Sequence, residues 1–216
     1  MTQPYIPALK YHALTGLYDN VVRLTTRETV FKAALVDLAN PQPGEQLLDV
    51  GCGTGTLTGL FAQQEPKLAC VGLDADPVQL KHAAKKFGAP RAELRFEQGY
   101  AQQLPFSPQS FDLAVSSLFF HHLTTRQKRD ALTEIVRVLK PGGRLIIADW
   151  GQPSSLIQRG LFFLVQLLDG FETTQDSVRG ALPVLMQGAG FVEVENRGSI
   201  PTILGTIRLF QANKSR

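Results

Sequence analysis

The stretch LLDVGCGTGTLTG, Leu47 to Gly59, restricts the fold more than any other part of this chain. An apolar, strand-like run reaches Asp49, glycines alternate at positions 51, 53 and 55, and a helical pattern starts behind them. A strand that turns through glycines into a helix is the opening unit of an open parallel sheet, and its turn lets a nucleotide approach the backbone. Two nucleotide loops are excluded by spacing. A phosphate-binding Walker loop needs a lysine and a hydroxyl residue after its last glycine, and no lysine lies between Gln46 and Gln64. A dinucleotide fingerprint needs its third glycine three residues after the second, and that position is Thr56.

The rest of the chain continues the rhythm. QLLDV, ACVGLD, ELRFEQ, FDLAVSS and GRLIIADW are short, apolar and bounded by turn residues, which predicts strands. Helical patterns lie between them at Thr54–Gln64, Pro77–Phe87 and Thr125–Leu139, and Pro141-Gly142-Gly143 stops the last before the next strand. Such alternation predicts an α/β fold, a mainly parallel sheet with helices on both faces. Two segments fall outside it. Residues 1–40 hold a tail and an amphipathic helix, and residues 153–189 hold one or two further helices; both are placed to form a helical lid over the strand C-termini. Residues 190–212 read as two strands that pair antiparallel at a sheet edge. With 216 residues, 44% hydrophobic, the chain suits one domain over 1–216, its cofactor-binding core at 46–150 and residues 153–189 a cap on the substrate side.

Composition removes several classes. The net charge of +3 comes from scattered residues with no basic block, which argues against a nucleic-acid partner. The two cysteines, Cys52 and Cys70, have no metal-ligand spacing, and no metal is expected. The first residues lack an apolar signal core, so a reducing cytoplasmic location is the expectation. LFFLVQLL, the most apolar segment, is far too short to span a bilayer. Its helix is apolar nearly all round, which suits burial against the sheet, a wall of an apolar pocket, or a homodimer face.

The acids narrow the ligand. Asp49 at the mouth of the loop repels a pyrophosphate and suits a ligand with an amino group. Asp74 ends the next strand, 25 positions on, where a carboxylate commonly accepts from ribose hydroxyls. A ribose, an amine and no phosphate describe S-adenosylmethionine.

At this point the chain resembles the class I S-adenosylmethionine-dependent methyltransferases, in the ubiquinone/menaquinone-biosynthesis-like branch. LLDVGCGTG, VGLDADP, QGYAQQLPF, FDLAVSSLFFHHL and VLKPGGRLIIAD occur in the family's order between Gln46 and Trp150. The resemblance implies a Rossmann-like seven-stranded sheet, the last strand antiparallel, and a product S-adenosylhomocysteine. It places Asp49, Gly51, Cys52, Gly53, Thr54 and Gly55 around the methionine part and Asp74 at the ribose. It places Ala75 beside the adenine, the segment Gly99-Tyr100-Ala101 along its border, and Ser116 and Ser117 beneath the sulfonium. Many relatives carry an aspartate where this chain has Tyr100.

Methyl transfer from a sulfonium needs alignment and exclusion of water more than charge stabilisation. A hydroxyl, amine or acidic carbon acceptor must also lose a proton, and His121 and His122, after the fourth strand, are the candidate bases. Tyr11 and Tyr18 in the N-terminal segment and Trp150 at the end of the fifth strand are candidates for the acceptor wall. The expected acceptor is a small apolar or aromatic molecule, methylated on O, N or C. A non-catalytic S-adenosylmethionine-binding protein on the same fold is the alternative.

Overall fold

A computed structural model describes residues 26–88 and 93–216. Helix α1 (Glu28–Ala39) precedes strand β1 (Gln46–Val50), helix α2 (Thr56–Gln64), strand β2 (Ala69–Asp74), helix α3 (Pro77–Phe87) and strand β3 (Leu94–Gln98). Strand β4 (Phe111–Ser117) runs through a 3₁₀ turn (Phe120–His122) into helix α4 (Thr125–Val138) and strand β5 (Leu139–Gly151). Helices α5 (Leu156–Asp169), α6 (Phe171–Arg179) and α7 (Leu182–Gly188) follow, then strands β6 (Phe191–Pro201) and β7 (Thr206–Lys214).

The sheet has seven strands in the order β3-β2-β1-β4-β5-β7-β6. The first five pair in parallel, and β7 lies antiparallel to both β5 and β6. The order reverses between β1 and β4, which opens a crevice at their C-terminal ends. Alternation along each strand feeds two cores. Leu48, Val50, Leu145 and Ile147 join α4 and α7 on one face, and Leu47, Leu113, Ile146 and Ala148 join α1, α2 and α5 on the other.

Helix starts are set by local chemistry. The Asp76 carboxylate accepts from Val78 N at the start of α3, with Pro77 in its first turn. Thr124 and Gln127 form a reciprocal capping box on α4. Helix α2 starts at Thr56, two residues later than the pattern predicts, because Gly55 sits at φ +71° and keeps the loop unwound. Strand β5 begins at Leu139 rather than after the Pro-Gly-Gly turn. Residues 153–189 hold three helices, one more than their pattern suggests, because Gly170 and Gly180 break the segment at positive φ.

Helix α5 buries Phe162, Val165 and Gln166 and leaves Leu156, Ile157, Phe163, Leu164, Leu167 and Leu168 exposed. Its apolar excess is therefore a second face, not all-round burial. Among the described residues no helix is long and apolar enough to cross a membrane.

Candidate functional site

A cavity of about 980 Å³ opens at the ends of β1, β2 and β4. Gly51, Cys52, Gly53 and Thr54 form one side. Gly51 N and Cys52 N both donate to Leu73 O, at 2.8 and 3.0 Å, which ties the loop to β2. Gly51 holds φ +74°, and a Cβ there would lie 2.3 Å from the Phe119 ring. At Gly53 a Cβ would meet nothing within 4 Å, so that backbone faces open space.

Asp74 lies in the cavity wall. Its carboxylate accepts from Gly53 N at 2.8 Å and from Asp76 N at 2.9 Å, so β2, the glycine loop and the start of α3 are fixed together. Each oxygen keeps lone-pair capacity toward the cavity. Burial holds this carboxyl above its ordinary range in spite of those bonds.

Asp49 sits elsewhere than its sequence position suggests. It is fully buried, does not line the cavity, and takes a 2.6 Å hydrogen bond from Thr58 Oγ1 of α2. The physical reason is strand alternation: Leu48 and Val50 face α4, so Asp49 between them faces α2. Its Oδ1 has no hydrogen-bond partner among the described residues. Burial pushes its carboxyl from 3.8 to about 6.

Ala75, Gly99, Tyr100 and Ala101 gather along the wall beyond Asp74, and Tyr100 is half exposed. Ser117 lines the cavity. Ser116 is turned away and donates to Val50 O at 2.8 Å, bracing β4 on β1. Gly55 is also outside the wall; a Cβ there would meet Phe96 at 2.6 Å, so it serves helix–strand packing. Cys52 lines the cavity, and burial together with Asp49 and Asp74 drives its thiol well above the ordinary range, which removes it as a nucleophile.

The two histidines part company. His122 lines the cavity, whereas His121 is buried behind it. Asp149 accepts from the His121 ring at Nδ1, 2.7 Å away, and from its backbone N at 3.3 Å. The Asp169 carboxylate approaches His121 Nε2 at 3.8 Å from the end of α5. Burial opposes a charge on His121, but the two carboxylates outweigh it and hold its pKa up. His122 is pushed down to about 3 by burial and by its neighbour, so it is neutral at working pH and a weak base. Trp150 does not line the cavity; it packs on Phe162 with ring centroids 5.6 Å apart. Tyr11 and Tyr18 lie outside the described residues.

Several wall residues were not singled out by sequence. Thr26, Lys32 and Val36, from α1 and the turn before it, carry no motif, nor does Gln127; Phe119 and Leu123 lie within FDLAVSSLFFHHL. No residue of 153–189 lines the cavity, and Asp169 at the end of α5 reaches His121 from behind it.

The donor set fits S-adenosylmethionine. An open glycine backbone faces a carboxylate that retains acceptor capacity. Comparison with known proteins agrees. Residues 47–143 match the family described as Methyltransferase domain. An uncharacterized methyltransferase of Synechocystis sp. is 35% identical over 183 residues, 82% of this chain and 83% of that protein. A demethylmenaquinone methyltransferase of Thermus thermophilus is 31% identical over 81% of this chain and 87% of its own length. The crystal structure of a SAM-dependent methyltransferase from Methanosarcina mazei superposes with a TM-score of 0.66 at 21% identity, over 81% of this chain and 94% of that one. At that identity the likeness speaks for the fold.

Proposed function

This chain belongs to the methyltransferase family and uses S-adenosylmethionine, and we propose that it methylates a small hydroxyaromatic, quinol-like molecule bound in the apolar end of its cavity. One observation carries the reading. Beyond the glycine loop the cavity wall includes Phe31, Val36, Leu118, Phe119 and Leu123, apolar side chains from α1 and the segment around the 3₁₀ turn, beside the charged Glu28, Lys32 and Asp37 of α1. The acceptors named for the relatives, demethylmenaquinone above all, are aromatic and apolar and suit such a wall.

The cofactor supplies an activated methyl group on a sulfonium. The chain's own residues supply position. The glycine loop offers backbone to the methionine part, Asp74 offers its carboxylate to the ribose, and Ala75, Tyr100 and Ala101 border the base. The apolar wall excludes water and fixes the acceptor ring, and alignment of this kind can contribute roughly 7–11 kcal/mol to the barrier. His122, in the wall, stands beside the acceptor end and orients the acceptor hydroxyl. His121, held by Asp149, positions His122 from behind.

The test is an S-adenosylhomocysteine-release assay over a panel of naphthoquinols, catechols, simple phenols and alkyl amines, with the product located by mass spectrometry and NMR. Turnover confined to hydroxyaromatics is expected. Turnover confined to amines overturns the acceptor assignment. Full turnover by both His121→Ala and His122→Ala removes the histidines from the reaction.

A further inference from the structure

The cluster behind the apolar end of the cavity has a composition that acceptor orientation alone does not require. Two carboxylates, Asp149 and Asp169, have side chains only 2% exposed and flank one imidazole from opposite sides. Nδ1 of His121 faces the Asp149 carboxylate at hydrogen-bond distance, and Nε2 faces Asp169. The Nε2–Oδ2 separation of 3.8 Å is too long for a hydrogen bond. The neighbouring His122 ring lies 3.9 Å from that of His121, centroid to centroid. One ligand atom each from His121, His122 and Asp169 lies within 4.8 Å of the other two.

We infer that His121, His122 and Asp169 form a binding site for one divalent transition-metal ion, beside the acceptor end of the cavity. Ligands about 2.1 Å from a common ion stand roughly 3–3.5 Å apart, so closing the site asks for movements of about 1 Å or less. Two imidazoles and one carboxylate suit zinc, cobalt, iron or manganese better than magnesium or calcium. The buried Asp149 completes the arrangement from outside, as carboxylates behind metal-bound histidines do. Three protein ligands leave positions open, and His122 brings the ion to the cavity edge.

The ion's role, unlike its binding, rests on the hydroxyaromatic reading above. A ring hydroxyl that reaches an open position binds through oxygen. The O–H bond breaks, its electron pair stays on oxygen, and the proton leaves to solvent at the cavity mouth before the acceptor ring seals the site. The ligands come from β4's exit turn and the end of α5, nearly fifty positions apart in sequence, which is why no spacing in the sequence suggested a metal.

The test uses the whole chain, stripped with a chelator and titrated with Co²⁺ alone while its visible d–d absorption and binding heat are followed. One ion per chain is expected in the wild type. His122→Gln and Asp169→Asn should lose at least about 100-fold in affinity, and Asp149→Asn about 10- to 100-fold. S-adenosylhomocysteine binding by Asp169→Asn serves as the check that the variant is folded. No stoichiometric Co²⁺ binding by the wild type, or equal binding by folded Asp169→Asn and His122→Gln, overturns the site. The titration contains no acceptor, so a failed acceptor panel with intact Co²⁺ binding sinks only the acceptor reading.

Discussion

Replacing Asp49 by asparagine should shift the balance of stability toward the variant as the pH rises. Asp49 is fully buried, bonded through one oxygen by Thr58 and through the other by nothing among the described residues. Burial moves its carboxyl from 3.8 to about 6, so folding disfavours the ionised form by about 3 kcal/mol. Below 3.8 the carboxyl is protonated in both folded and unfolded chains, and no penalty applies. Above 6 it is ionised in both, and the folded state carries the whole penalty. Asparagine removes that dependence and adds a pH-independent cost of about 1–3 kcal/mol for a buried amide whose N–H groups lack acceptors. Urea denaturation of both proteins from pH 4 to pH 8 measures the difference. The variant should start below the wild type at pH 4 and gain on it by about 2–3 kcal/mol by pH 8, mostly between pH 4 and 6. Parallel profiles would refute the assignment of the penalty to Asp49. S-adenosylmethionine binds as a cation, so the variant should bind it less tightly even where it is the more stable protein.

Gly51→Ala forces a non-glycine residue to φ +74° and its methyl into Phe119, a cavity residue, so affinity for S-adenosylhomocysteine should fall about 10- to 100-fold by calorimetry; wild-type affinity would contradict the close packing. Asp74→Asn turns one acceptor into a donor facing either Gly53 N or Asp76 N, and the cofactor should dissociate with about 1–3 kcal/mol less binding energy, without loss of far-UV dichroism. Lys128 is buried between Thr173 O at 2.7 Å and Asp176 at 2.9 Å, and it pins α6 to α4. Lys128→Ala strands the Asp176 charge and should cost about 3–5 kcal/mol in urea denaturation, whereas Lys128→Met with Asp176→Leu should recover much of it.

Much of this protein is written in local pattern. Period-two apolar runs and their glycine and proline boundaries locate the first five strands to within a few residues, because those rules act between near neighbours. The same locality places Gly51 to Thr54 and Asp74 at one crevice: each follows the end of a parallel strand, and parallel strands in register bring their ends together. Pattern failed where the answer depended on which way a side chain points. Ser116 lies beside Ser117 and Asp49 two residues before Gly51, both of which line the cavity, yet the pleat turns Ser116 and Asp49 into the core. His121 and His122 are adjacent letters, and only the 3₁₀ turn gives one to the cavity and the other to Asp149. The approach of Asp169 to His121 has no local signal at all. It follows from α5 docking on the sheet through Phe162 and Val165, a long-range packing event that decides where the end of that helix falls. The sequence by itself therefore determined the sheet, the loop and the cofactor, which rest on short-range rules, and tertiary packing decided the acceptor side, where residues far apart in the chain meet.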